Sequence, residues 1–232
     1  MTRRARPLPR GLYLVTPECD DTAQLLRRVE AALRGRPALL QYRNKQGSAP
    51  QRLAQAAQLR MLCRAAGVPF IVNDDLALAL EVDADGAHIG RDDGALDAAR
   101  ARIGEGRLLG VSCYNDFSRA EAAAVAGADY IAFGAMFASS TKPAAPLAEV
   151  ALLTRARAAL PLSVTAIGGI TLENAPTLIA AGATQLAVVA DVFDAPHPAA
   201  RAAAYRPLFA CPDPGQGCAP SGRVSSGPCP TL

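Results

Sequence analysis

Along the chain, short apolar runs bounded by turn residues alternate with longer stretches rich in Ala, Leu and Arg. The runs are GLYLVT (11–16), ALLQYR (38–43), PFIVND (69–74), GAHIG (86–90), LLGVSC (108–113), YIAFGAM (130–136), LSVTAIGG (162–169) and QLAVVADV (185–192). Several are apolar without strict alternation, as expected of parallel strands covered on both faces. The intervening segments carry helical spacing. Residues 20–33 place Leu25, Leu26, Val29 and Leu33 on one stripe, and residues 48–66 repeat the pattern around Leu53, Ala56, Ala57 and Leu59. AAG (65–67), VAGAD (125–129) and AAGAT (180–184) each set a glycine just before the next strand, where a left-handed helix stop belongs.

Eight strands with mostly helical connections predict a single-domain α/β fold, a (β/α)8 TIM barrel over residues 11–208. An open doubly wound sheet is the competing architecture, but its glycine-rich first turn is missing: the chain reads VTPECDD there. Residues 1–10, MTRRARPLPR, read as a solvated N-terminal arm, and too short an apolar run follows for a secretory leader. Residues 209–232 are rich in Gly, Pro and Ser, have no periodicity, and read as a disordered low-complexity tail.

Composition narrows the function classes. Half of the 232 residues are hydrophobic, too many for a disordered chain, and the net charge is only +3. Neither a nucleic-acid partner nor a membrane surface is called for, and no run is long enough to span a bilayer. The six cysteines form no CxxC pair and the only histidines are His88 and His197, so a zinc site is not expected. Reduced thiols in a cytoplasmic protein are the plain expectation. The sequence leaves the oligomeric state open, a homo-oligomer included. Of the 24 basic residues, 22 are arginine; the lysines are Lys45 and Lys142. Against that bias a lysine points to a specific chemical need.

In a barrel of this kind the chemistry lies at the C-terminal strand ends. This sequence puts there Gln41, Arg43 and Lys45, then Asn73, Asp74 and Asp75, then Asp92 and Asp93. Ser112 follows the fifth strand, Ser139, Ser140, Thr141 and Lys142 the sixth, Gly168 and Gly169 the seventh, and Val189 and Ala190 the eighth. Hydroxyls, a lysine and glycine N–H groups suit a phosphate. Two carboxylates from neighbouring strands suit Mg²⁺. Plainer roles exist for most of them. Asp74 and Asp75 would also serve as caps for LALAL, Asp92 and Asp93 would also open the next helix, and Gln41 would also fill the barrel interior. His88 has no dyad partner in the sequence, so the reaction should need charge stabilisation more than a strong base.

At these residues the chain resembles the thiamine phosphate synthase family. The matching segments are GLYLVTP, LLQYRNK, FIVNDDLALALEVDADGAHIGRDD, LLGVSCYN, GADYIAFGAMFASSTKP and AIGGITLENAPTLIAAGATQLAVV, in the family's order over about residues 11–193. The resemblance implies a Mg²⁺-dependent transferase acting on small phosphorylated substrates. Hydroxymethylpyrimidine diphosphate would lose diphosphate while the thiazole nitrogen of hydroxyethylthiazole phosphate attacks its methylene carbon. By the same resemblance, Gln41, Arg43, Lys45, Asn73, Ser112 and Lys142 hold the pyrimidine diphosphate, with Lys45, Lys142 and Ser112 catalytic. Asp74 and Asp93 bind the metal. Ser139, Ser140, Thr141, Gly169, Val189 and Ala190 hold the thiazole phosphate, while Tyr42, Tyr114 and Phe137 are candidates for excluding water. The family often has threonine in place of Ser139 and serine in place of Ala190. Other readings of the barrel are an aminopyrimidine aromatase lacking the metal machinery, a phosphosugar aldolase using Lys142 as a Schiff base, and a silent ligand-binding barrel.

Overall fold

The computed structural model describes residues 8–138 and 146–210. Eight parallel strands close into a barrel in sequence order. They are β1 (Gly11–Val15), β2 (Leu39–Tyr42), β3 (Phe70–Asn73), β4 (Gly86–Ile89), β5 (Leu108–Tyr114), β6 (Tyr130–Phe133), β7 (Ser163–Ile167) and β8 (Gln185–Val188). The helices are α1 (Thr22–Leu33), α2 (Ala49–Ala66), α3 (Leu76–Glu81), α4 (Leu96–Ile103), α5 (Phe117–Val125), α6 (Ala151–Ala159), α7 (Ala175–Ala180), the short α8 (Ala190–Phe193) and α9 (Pro198–Ala204), followed by a 3-10 turn, Arg206–Phe209. The (β/α)8 barrel expected from the alternation is the observed architecture.

Alternation along each strand divides the core in two. Leu12, Leu14, Leu40, Tyr42, Phe70 and Val72 face outward under the helices. Tyr13, Val15, Leu39, Ile71, Tyr130 and Ala187 fill the barrel interior. The inner layer needs a gap opposite Tyr130, and β5 supplies it at Gly110, where a Cβ would collide with the Tyr130 ring. Of the N-terminal arm, Leu8 packs inward while Pro9 is exposed. Leu8 is buried against the interior cluster, and the carbonyl of Pro9 accepts from Gln185 Nε2 at 3.0 Å. Residues 211–232 lie outside the described residues.

The helix ends follow local chemistry. Asp21, Ser48, Asp75 and Asp116 cap α1, α2, α3 and α5 through side-chain oxygens. Gly67 ends α2 at φ 67° and Gly127 follows α5 at φ 79°, both left-handed as their sequence context predicts. Asp92 and Asp93 do not open α4; Ala95 occupies the cap position without a side-chain bond. Below the rim, fully buried Asp129 accepts from Arg100 at 2.8 Å and from the Leu109 N–H at 2.9 Å, tying α4 to β5 and β6.

Candidate active site

Gln41 and Tyr42 occupy successive positions of β2 and therefore face opposite ways. Gln41 enters the barrel. Tyr42 turns outward, its hydroxyl donating to Gln55 Oε1 of α2 at 2.8 Å, so it does not shield the site from water. Phe137 likewise packs on the outer core. Beyond β2 the chain makes a braced turn. Asn44 is buried, donates to Gln55 at 3.0 Å, and accepts from the N–H groups of Gln46 and Gly47 at 3.1 and 2.7 Å. Gln55 in turn donates to the Cys19 carbonyl and to Thr22 Oγ1. Glu18 finishes the turn: it accepts from the Lys45 N–H at 3.0 and 3.2 Å and from Arg43 at 2.7 Å. Lys45 is thus fixed by its backbone while its side chain stays free to reach across the rim.

It reaches Asp74, with 2.9 Å between Nζ and Oδ2. The DD pair after β3 divides its work. Asp75 caps α3 through the Leu78 N–H, 2.9 Å away. Asp74 adopts φ 62°, its N–H bonded to the His88 carbonyl at 2.7 Å, and turns its carboxylate toward Lys45. Holding a non-glycine residue in that region costs energy and marks a site held by its surroundings. Asp93 accepts from the Gly90 N–H at 2.5 Å and shares a hydrogen bond with Asp74. Burial raises the pKa of Asp93, and the Asp74 charge adds to it, against the Gly90 N–H. Burial opposes the charge of Asp74 too, but Lys45 and Asp93 outweigh it and hold its pKa below the usual value.

Lys45, Asn73, Asp74 and Asp93 line one cavity of about 450 Å³. The sequence placed these four together, and the fold brings them together. Gln41, Arg43 and Ser112 are not among its lining residues, and the Arg43 guanidinium meets Glu18 at 2.7 Å. Arg52 and Arg102 also line it, two cations hidden in the sequence by the abundance of arginine. Ser112 stands at the mouth of β5, its hydroxyl 2.8 Å from His88 Nε2. Arg119 of α5 braces this part of the rim, donating to the Ser112 carbonyl at 2.7 Å and the Gly90 carbonyl at 2.6 Å. Tyr114 stays at the rim with φ 56°; its hydroxyl accepts from the Arg91 N–H, and the Arg91 guanidinium lies 4.8 Å from its ring centre.

On the far side, Gly168 and Gly169 have φ 103° and 61°, and a Cβ on Gly169 would strike the Ala138 carbonyl and Phe137. Glycine is required there by backbone angle and by close approach of the segment that follows β6. Val189 and Ala190 form the β8–α8 turn. Ser139, Ser140, Thr141 and Lys142 lie outside the described residues.

A family model described as thiamine monophosphate synthase matches residues 12–192. The chain belongs to that family. Among its relatives, the thiamine-phosphate synthase of Aromatoleum aromaticum is 64% identical over 200 residues, covering 86% of this chain and 96% of that one. The thiamine-phosphate synthase of an Azoarcus species is 63% identical over 201 residues, covering 87% and 98%. Among solved structures, thiamine phosphate pyrophosphorylase from Pyrococcus furiosus is similar with a TM-score of 0.76 and 27% identity, covering 85% of this chain and 94% of that one. Membership in the thiamine monophosphate synthase family makes the chain a transferase of thiamine biosynthesis. Among the described residues no helix is long and apolar enough to cross a membrane.

Proposed function

We propose that this chain condenses hydroxymethylpyrimidine diphosphate with hydroxyethylthiazole phosphate, giving thiamine phosphate and diphosphate. The observation that carries the reading is the shared cavity of Lys45, Asn73, Asp74 and Asp93. In the reaction the carbon–oxygen bond of the pyrimidine methylene breaks, and its electron pair leaves with the diphosphate. The thiazole nitrogen then forms the new bond to that carbon. The aminopyrimidine ring feeds electrons to the methylene, so cleavage can run ahead of attack. What the protein must supply is fixed positive charge where the diphosphate departs.

Lys45 supplies such charge, its backbone clamped by Glu18 and its ammonium aimed at the cavity. Arg52 stands on the same wall. Gln41 and Ser112 take the pyrimidine ring, and Asn73 the diphosphate side of it. Arg43 and Lys142 are further cations for the diphosphate, and the thiazole phosphate falls to Ser139, Ser140, Thr141, the Gly169 turn, Val189 and Ala190. Asp74 and Asp93 fit a hard divalent cation, Mg²⁺: both are oxygen donors that follow adjacent strands and line the same cavity. A pair of carboxylates leaves room for the waters and phosphate oxygens that Mg²⁺ retains. When bound, the cation would neutralise charge on the departing diphosphate. The free thiols of Cys19, Cys63 and Cys113 support a reducing, cytoplasmic setting.

The test is to mix both substrates with the protein and follow diphosphate and thiamine phosphate together, with Mg²⁺ and with a chelator in its place. Equal formation of the two products, abolished by the chelator, is expected. Thiazole phosphate binding without any diphosphate release would overturn the proposal.

A further inference from the structure

Beneath the cavity, five side chains from five strands form one line of hydrogen bonds. Gln41 Nε2 donates to Tyr13 Oη at 2.8 Å. The hydroxyls of Tyr13 and Tyr130 are 2.7 Å apart. Tyr130 Oη lies 3.1 Å from His88 Nδ1, and His88 Nε2 lies 2.8 Å from Ser112 Oγ. The three inner members, Tyr13, Tyr130 and His88, are all buried. The two ends are the residues assigned above to the pyrimidine ring, so the inference rests on that reading.

Each inner hydroxyl owns one proton, and burial denies it water as an alternative partner. One link therefore dictates the next. Tyr13 accepts from Gln41, so its own proton goes to Tyr130. Tyr130 then gives its proton to His88 Nδ1, which must be bare. A neutral imidazole with a bare Nδ1 carries its proton on Nε2 and donates it to Ser112. Ser112 keeps its own O–H to offer, and Gln41 keeps its carbonyl oxygen. Neutrality of the ring follows from the same geometry, since Tyr130 can give its proton only to a bare Nδ1. A charged ring would donate from both nitrogens and break the line at Tyr130.

We propose that Tyr13, Tyr130 and His88 are positioning residues which lock an acceptor at Gln41 and a donor at Ser112, the complement of an aminopyrimidine. Such a ring offers an amine to donate and ring nitrogens to accept. A 4-oxopyrimidine offers the reverse and meets two mismatched groups. Buried polar mismatches of this kind discriminate strongly between analogues.

Two measurements test the relay on the full chain. The first is the long-range ¹H–¹⁵N spectrum of the ligand-free protein, simple because the chain has only two histidines. The expected result for His88 is a pyridine-type Nδ1 and a protonated Nε2. The opposite tautomer, or an imidazolium, at neutral pH overturns the relay whether or not the protein turns over. The second is a kinetic cycle with Tyr130→Phe and Ser112→Ala. Tyr130→Phe should raise KM for the pyrimidine diphosphate by about tenfold and leave KM for the thiazole phosphate unchanged. In the Ser112→Ala background the same change should add less than about twofold. Fully multiplicative losses, or equal rises in both KM values, would mean that Tyr130 serves packing alone. Should Tyr130→Phe fail to fold, the tautomer decides by itself. Failure of the wild-type chain to release diphosphate would count against the proposed reaction, and the tautomer would still be readable.

Discussion

Lys45→Met separates a site charge from an ordinary surface ion pair. The Lys45 side chain is 51% exposed and that of Asp74 is 27% exposed, at 2.9 Å. A pair so open to solvent contributes at most about 1 kcal/mol to stability after screening. For a chain of this size that is a fall of no more than about 2–4 °C in Tm. Methionine keeps most of the stem, and the Glu18 clamp acts on the Lys45 backbone, so the turn should survive. The catalytic loss has a different scale. Removing one preorganised charge stabiliser costs about 10²–10³ in kcat, or about 2.7–4 kcal/mol of transition-state energy. The assay is diphosphate release with both substrates saturating, alongside a thermal melt. A kcat within about threefold of the parent, with the melt alone displaced, would show that Lys45 only neutralises Asp74.

Asp93→Asn should remove most Mg²⁺-dependent turnover while circular dichroism stays unchanged; parental activity at any Mg²⁺ concentration would withdraw Asp93 from the metal. Asp129→Ala removes the buried carboxylate that pairs with Arg100 and accepts the Leu109 N–H; it should destabilise the barrel by about 3–5 kcal/mol in urea titrations, and an unchanged midpoint would refute the bracing role given to that pair. His88, neutral when folded and titrating near 6.5 when unfolded, takes up its proton more readily in the unfolded chain between those limits. Its contribution of about 3 kcal/mol is therefore present above pH 6.5 and lost as pH falls toward about 4. In metal-free buffer, urea midpoints of the parent should drop more steeply through this window than those of His88→Gln; parallel curves would contradict a buried neutral ring.

The barrel was legible in the sequence because each strand carries its own period and each helix its own stop, as at Gly67 and Gly127. So was the convergence of Lys45, Asp74 and Asp93, since strand ends of one barrel must share a rim. Pairings that depend on three-dimensional neighbours were not legible. His88 has no partner near it in the chain, yet Tyr130 and Ser112 reach it from strands far along the sequence. Arg43 has Glu18 as a counter-charge, which nothing local in the sequence marks. Tyr42 looked like a water shield until the two-residue strand period assigned the inward position to Gln41. The dual reading of the DD pair resolved by division: the second aspartate caps the helix and the first serves the cavity.

The seam between β1 and β8, where Gly11 pairs with Gln185, joins the two most distant strands of the described chain. A ribosome delivers β1 first, and its outer edge then waits unpaired until residues near 188 have left the exit tunnel. Throughout that interval the nascent chain carries an open parallel edge, the kind of surface that recruits chaperones or stray strands. A circular permutant that links β8 directly to β1 and opens the ring elsewhere would make that pairing local and hand the wait to another pair of strands.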